Sequence, residues 1–170
     1  MKPPEYTNLL TLKTERLTLR QLQFSDDHNL FALRSDQSVN RYLGRKPSTS
    51  IDDARNFIKA ILENQSFYWA ITLTVANKLI GTACKFHLSD DHQKVEIGYE
   101  LLLEFQGKGI MQEAIPAVVA FAFRHLKVNA IEAYTHIKNQ ASSRLLEKLN
   151  FERCDVDEEN MVLFRLMASE

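Results

Sequence analysis

The chain has 170 residues, of which 45% are hydrophobic and 25% charged, and its formal net charge at neutral pH is −1. That size suits one globular domain with a sizeable core. The charge balance excludes a sequence-independent nucleic-acid binder, which needs a basic surplus, and no apolar run approaches the roughly 20 residues of a membrane span.

Residues 1–12 open with Met1-Lys2-Pro3-Pro4 and read as an N-terminal arm, because paired prolines join neither a helix interior nor a central strand. No apolar signal-peptide core follows, so a cytoplasmic protein is expected. Residues 13–170 read as the domain. Leu17 and Leu19 alternate with polar residues, which predicts a strand between Thr14 and Leu22. Ser25 before Asp26-Asp27 predicts a capped helix to about Ser35. A linking segment with Val39, Tyr42 and Leu43 ends at Pro47. Ser50, with Asp53 three residues on, predicts a second helix through Phe57 and Ile61 to about Glu63.

Residues Phe67–Val75, Leu79–Leu88 and the run from Val95 are rich in apolar and β-branched residues, with Ala76-Asn77-Lys78 and Ser89-Asp90-Asp91-His92 as turns. They predict three neighbouring antiparallel strands. From Met111 to about Lys127, apolar residues recur at three- and four-residue spacing, a helix with Pro116 inside it and a kink there. Ile131–Ile137 reads as a strand. Asn139 caps a helix to Leu149, Asn150 ends it in a left-handed conformation, and two strands close the chain. The succession is an α+β domain with a mixed, mostly antiparallel sheet of about seven strands.

The stretch Glu104-Phe105-Gln106-Gly107-Lys108-Gly109-Ile110-Met111 joins a strand to a helix. Backbone N–H groups at a helix start lack partners and carry partial positive charge, and glycines let an anion approach them closely. Gly-x-Gly also marks ordinary turns. A Walker loop needs Ser or Thr after Gly-Lys, where Gly109 stands. The dinucleotide fingerprint needs a third glycine, where Gln112 stands. Neither fits. Cys84, Cys154 and the five histidines form no metal-ligand spacing, so no metal is expected and the thiols read as free.

Gln106, Gly109 and Met111 occupy the positions of the Gln/Arg-x-x-Gly-x-Gly/Ala loop of the GNAT N-acetyltransferases, with Met111 departing from the small last residue. Gly107-Lys108-Gly109-Ile110-Met111-Gln112-Glu113-Ala114 resembles the Rim-type branch, the ribosomal-protein N-terminal acetyltransferases. So do Thr14-Glu15-Arg16-Leu17-Thr18-Leu19-Arg20, Val39-Asn40-Arg41-Tyr42-Leu43-Gly44 and the run Asn139 to Phe151. The resemblance covers nearly the whole chain. It implies a GNAT fold in which the strands holding Leu101 and Ile131 run parallel and splay into a V-shaped slot for acetyl-CoA as co-substrate. The pantetheine arm would pair with backbone at Leu101, Leu102 and Leu103, and the diphosphate would sit on N–H groups from Gln106 through Gly107, Lys108, Gly109 and Ile110 to Met111. An N–H near Leu101 would stabilise an oxyanion.

Asn139 is a plain N-cap that in the family also contacts the cofactor arm. Ser142 is the branch's candidate acid for the leaving thiolate, and the tyrosine many relatives place in the next turn is replaced by Leu145-Leu146. Glu96 and Glu100 share one strand face and are candidate bases, directly or through water; each also reads as a solvated carboxylate. His87 and His136 are further candidate bases. Tyr42, Trp69, Phe86, Tyr99 and Tyr134 are candidate acceptor walls, and Arg41, Arg45 and Lys46 point to an acidic acceptor feature. The expected activity is acetyl transfer to a primary amine, on a protein N-terminus or a small molecule, without nucleic acid or membrane, in a monomer or homodimer. The alternative is a non-catalytic CoA or acyl-CoA-binding sensor or assembly module.

Overall fold

Strand side chains alternate between two faces, so a strand is apolar throughout only where helices cover both. The computed structural model describes residues 11–64 and 66–170, with backbone alone for 84–87. Its order is β1 (Leu12–Lys13), β2 (Leu17–Gln21), α1 (Asp27–Ser35), α2 (Gln37–Asn40), α3 (Ile51–Glu63), β3 (Tyr68–Leu73), β4 (Leu79–Leu88) and β5 (Lys94–Leu101). There follow α4 (Ile110–Phe121), β6 (Ala130–His136), α5 (Gln140–Lys148), β7 (Glu152–Val156) and β8 (Met161–Met167). Among the described residues these strands form one eight-stranded sheet, β1-β2-β3-β4-β5-β6-β8-β7. Every neighbouring pair is antiparallel except β5 and β6.

Helices cover both faces. Trp69 and Ile71 of β3, with Leu17 and Leu19 of β2, join the core that α4 and α5 close. Tyr68 and Ala70 face the other way, onto Leu30 and Leu33 of α1 and Ala54 and Ile58 of α3. The α3 start follows its sequence signal: Ser50 Oγ accepts the Asp53 N–H, and the Asp53 carboxylate accepts the N–H groups of Thr49 and Ser50. No helix of the described residues is long and apolar enough to cross a membrane.

Four differences from the sequence reading have local causes. Leu12, assigned to the arm, lies in β1, paired across to Leu19; residues 1–10 of that arm lie outside the described residues. Ser25 does not cap α1. The chain enters through a 3-10 turn, Phe24–Asp26, and Asp26 Oδ2 accepts the Gln23 N–H at 2.8 Å. The segment between the first two long helices holds the short α2, whose N-cap Asp36 accepts the Val39 N–H at 3.0 Å. Last, α4 runs through Pro116 and gives way to a π-type turn at Ala122–Leu126, closed by left-handed Lys127. Pro116 and Gln112, whose carbonyl loses its partner, both face solvent. Proline inside a helix costs about 3 kcal/mol. Ile110, Ile115, Val118 and Phe121 are buried, each contributing about 1.5–3 kcal/mol, so packing wins.

The entry to α1 also carries the best-buried ion pair described. Arg20 Nη1 and Nη2 donate to the two Asp26 oxygens at 2.9 and 2.8 Å, and Nε donates to Asn77 Oδ1 at 2.8 Å. The Arg20 and Asp26 side chains are 11% and 5% exposed. A bidentate pair with further hydrogen bonds is the geometry in which burial of two charges is tolerated.

Candidate active site

The parallel pairing of β5 and β6 lasts only from Lys94↔Ala130 to Ile97↔Ala133. Beyond it, Gly98 to Leu101 stay on β4, while Tyr134 to His136 stay on β8. The two strands therefore part, and backbone groups on their facing edges lack sheet partners. Leu102 N–H donates to Ile80 on the β4 side, so by strand alternation the Leu101 N–H faces the fork. The Leu101 carbonyl is taken by Gln106 Nε2 at 2.9 Å, which ties the start of the glycine loop to the end of β5.

The loop itself is shaped by two left-handed residues, Gly107 and Gly109, both at φ +73°. Gly109 is the residue from which α4 starts. Side chains strain in that conformation, so glycine is what lets the turn place α4's first N–H groups toward the fork.

Two clefts open from the fork. One, of about 710 Å³, is lined by Leu101, Gln106, Gly107, Gly109, Ile110 and Met111 of the strand end and loop, and by Asn139 and Ser142 of α5. Leu102, Leu103 and Lys108, expected to bind, are not in its wall; Lys108 Nζ lies 5.6 Å from the Phe105 ring centre. Its cationic lining is Arg41, Arg144 and Lys148, while its carboxylate, Glu100, is already paired with Arg45. The wall thus suits an anion. Arg144 and Lys148 stand four apart on one helix face, a spacing visible in the sequence itself.

The second cleft, of about 520 Å³, is lined by Tyr42, Phe57, Tyr68, Glu96, Tyr134 and His136 among others. The two meet: Tyr42, Leu43, Tyr99, Glu100, Asn139 and Ser142 line both. Of the expected walls, Tyr42, Tyr99 and Tyr134 are there. Trp69 is 2% exposed and packs on Phe121 in the core, and the side chains of Phe86 and His87 lie outside the described residues. Phe57 and Tyr68 are aromatic walls that the sequence did not single out.

At the junction, Tyr99 Oη lies 2.6 Å from Ser142 Oγ. Asn139 Oδ1 accepts the Ser142 N–H at 3.3 Å and so fixes the turn that presents the serine. Burial pushes the Tyr99 phenol up to about 12, only partly offset by its bond to Ser142. It therefore holds its proton at neutral pH and can donate. An absorbance titration is expected to show a tyrosine ionising near pH 12, absent in Tyr99→Phe. Since an unfolded tyrosine ionises near 10, the stability this group contributes is fully present below about pH 10 and is lost as pH rises through about 12. A titration in which Tyr99→Phe loses only an ordinary tyrosine would refute the burial argument.

The candidate bases separate. Glu100 Oε2 meets Arg45 Nη1 at 2.7 Å and Oε1 accepts the Thr82 hydroxyl at 3.3 Å, so this carboxylate is fixed as a strut. Arg45 in turn donates Nε–H to Asn40 Oδ1 at 2.7 Å, while its Nη2 is buried without a hydrogen-bond partner among the described residues and the residue lines the second cleft. Glu96 lines the second cleft. His136 stacks on Tyr42, and its Nδ1 accepts the Lys138 N–H at 3.1 Å, which leaves the proton on Nε2. That occupies its basic nitrogen.

Comparison with known proteins accords with this geometry. A chain described as uncharacterised N-acetyltransferase p20 of Bacillus licheniformis is 36% identical over 148 residues, covering 84% of this chain and 83% of that one. A GNAT-family acetyltransferase structure from Bacillus anthracis superposes with TM-score 0.82 at 23% identity, covering 92% of this chain and 98% of that one. The RimL ribosomal L7/L12 α-N-protein acetyltransferase in complex with coenzyme A superposes with TM-score 0.81 at 18% identity, covering 92% and 97%. With the acetyltransferase (GNAT) domain profile matching residues 16–152, the chain belongs to the GNAT acetyltransferase family.

Proposed function

We propose that this enzyme transfers the acetyl group of acetyl-CoA to a primary amine, with the donor in the larger cleft and the amine entering from the smaller one. The observation that carries this reading is the meeting of the two clefts at Tyr99, Asn139 and Ser142. The loop N–H groups from Gly109 to Met111 and the cations Arg144 and Lys148 would hold the diphosphate. The Leu101 N–H, facing the fork, would meet the thioester oxygen. As the amine nitrogen bonds to the carbonyl carbon and the carbon–sulfur bond breaks, one proton leaves nitrogen and one reaches sulfur. Ser142, backed by the Tyr99 hydroxyl, is placed to supply the second.

A thiol ionises near 8.5, so the departing thiolate needs modest help. Ser142→Ala is expected to lower kcat about tenfold, below the roughly 10²–10⁴-fold of ordinary general acids because this leaving group needs so little help, with acetyl-CoA affinity unchanged. A normal kcat would remove Ser142 from the reaction. Glu96, a carboxylate in the lining of the smaller cleft, is the group to test as the base.

Weak base power selects the acceptor. Deprotonation at pH 7 costs about 1.4 kcal/mol for an α-amine and about 4.6 kcal/mol for a lysine, so an α-amine, on a peptide N-terminus or a small molecule, is the expected acceptor. The test is free-thiol release and mass spectrometry across N-terminal peptides, small amines and lysine side chains. Binding of acetyl-CoA without thiol release from any of them would overturn the proposal and favour a binding module.

A further inference from the structure

Arg16 and Glu113 stand 97 positions apart in the sequence, and neither lines a cleft. Glu113 Oε1 accepts the Arg16 backbone N–H at 2.7 Å and the Thr14 hydroxyl at 2.5 Å; Oε2 accepts the Arg16 Nε–H at 2.6 Å. With Nε held, the other two guanidinium nitrogens reach the glycine loop. Nη1 donates to the Lys108 carbonyl at 3.1 Å and Nη2 to the Gly109 carbonyl at 3.2 Å.

Those two bonds fix more than carbonyls. In a trans peptide unit the C=O and the following N–H point in opposite directions, and there is no cis peptide here. Anchoring the Lys108 and Gly109 carbonyls outside therefore turns the N–H groups of Gly109 and Ile110 the other way. Both residues line the larger cleft. The guanidinium also polarises the two peptide units, which strengthens those N–H groups as donors. The Gly109 carbonyl also accepts the Glu113 N–H of α4 at 3.1 Å, so without Arg16 it is chiefly the Lys108–Gly109 plane that Gly107 and Gly109 leave free to rotate.

Glu113 fits the same purpose. A carboxylate in α4's first turn would by itself repel an anion beside it. Burial pushes its carboxyl up, but the hydrogen bonds from Thr14 and Arg16 together outweigh burial and hold it below the usual range. Its charge is thus spent on Arg16.

We propose that Arg16 and Glu113 are positioning residues for the diphosphate of the thioester donor, holding the Lys108 and Gly109 peptide planes with their N–H groups aimed into the cleft. This rests on the acetyl-CoA reading above. Arg16 is 45% exposed, and exposed pairs contribute little to stability, so its loss should act on binding and not on folding.

The test is coenzyme A binding to the full chain, by calorimetry and by amide NMR. In the wild type, coenzyme A should move the Gly109, Ile110 and Leu101 amide signals. Arg16→Ala should weaken binding at least tenfold. At saturation it should lose most of the Gly109 shift and less of the Ile110 shift while keeping that of Leu101, with the ligand-free melting temperature within a few degrees. Arg16→Lys, which keeps the charge but cannot span Glu113 and both carbonyls, should show the same pattern at smaller amplitude, and Glu113→Gln should follow it. Unchanged affinity, or equal loss of all three shifts, would overturn the clamp. A wild type that binds no coenzyme A would instead overturn the donor reading beneath it.

Discussion

Gly109→Asp is expected to weaken acetyl-CoA binding about a hundredfold, or about 2.7 kcal/mol, without unfolding the chain. Space is not the obstacle: a Cβ at 109 would meet only Arg16 Nη2, at an ordinary 3.6 Å. Two other effects act together. The position sits at φ +73°, which costs an ordinary side chain roughly 1–2 kcal/mol. A carboxylate at the start of a helix is also drawn to that helix's own first N–H groups. It would thus occupy, from within, the donors intended for the diphosphate, and its charge would repel what remains. The backbone strain should lower the melting temperature by only a few degrees in a chain of this length. Gly109→Asn, with similar tolerance of the left-handed conformation but no charge, should lose less. Calorimetry on the three proteins decides it. Equal affinity for the wild type and the aspartate variant would move the diphosphate elsewhere.

Asp26→Ala is expected to destabilise the fold by about 3–5 kcal/mol, the cost of leaving a buried charge without its partner. Arg20 has no route to water, being 11% exposed and held by Asn77 on its other side. The Gln23 N–H would lose its acceptor in the same change. For a chain of this length the melting temperature should fall by roughly 10 °C. The double variant Asp26→Leu with Arg20→Met removes both charges and should be less damaging than Asp26→Ala, because the penalty belongs to the orphan and not to the lost attraction. Chemical denaturation of both variants checks this, and a double variant worse than the single would mean that the pair itself, and not its desolvation, holds α1 in place.

What the sequence disclosed follows from the range over which each interaction acts. Ser50 with Asp53, Asn139 with Ser142, and left-handed Asn150 are signals closed within three or four residues, and they were legible. Asp36 capping α2 was equally local and was overlooked, since the helix it starts has only four residues and no apolar period. β1 is two residues long and exists through its pairing with Thr18 and Leu19. The Tyr99–Ser142 and Arg45–Glu100 pairs are different in kind. Their members come together through the β5–β6 register and the path of the segment after α2, neither of which local spacing encodes. Resemblance named the loop and Ser142 as candidates, but gave Tyr99 only as a wall. It also drew Leu102 into the donor site, although that residue's N–H is committed to Ile80.

The four-residue length of the β5–β6 register has an evolutionary corollary. Most sheets grow sturdier as strands zip further along one another, and selection for robustness would ordinarily favour that. Here each added rung would seal the wedge that the proposed function gives to the donor. Sturdiness has to accumulate at a distance, in contacts such as Arg20–Asp26, while the gap in the ladder persists as a permanent local weakness. Any stabilising substitution near Gly98 or Tyr134 should therefore be suspected of closing the enzyme.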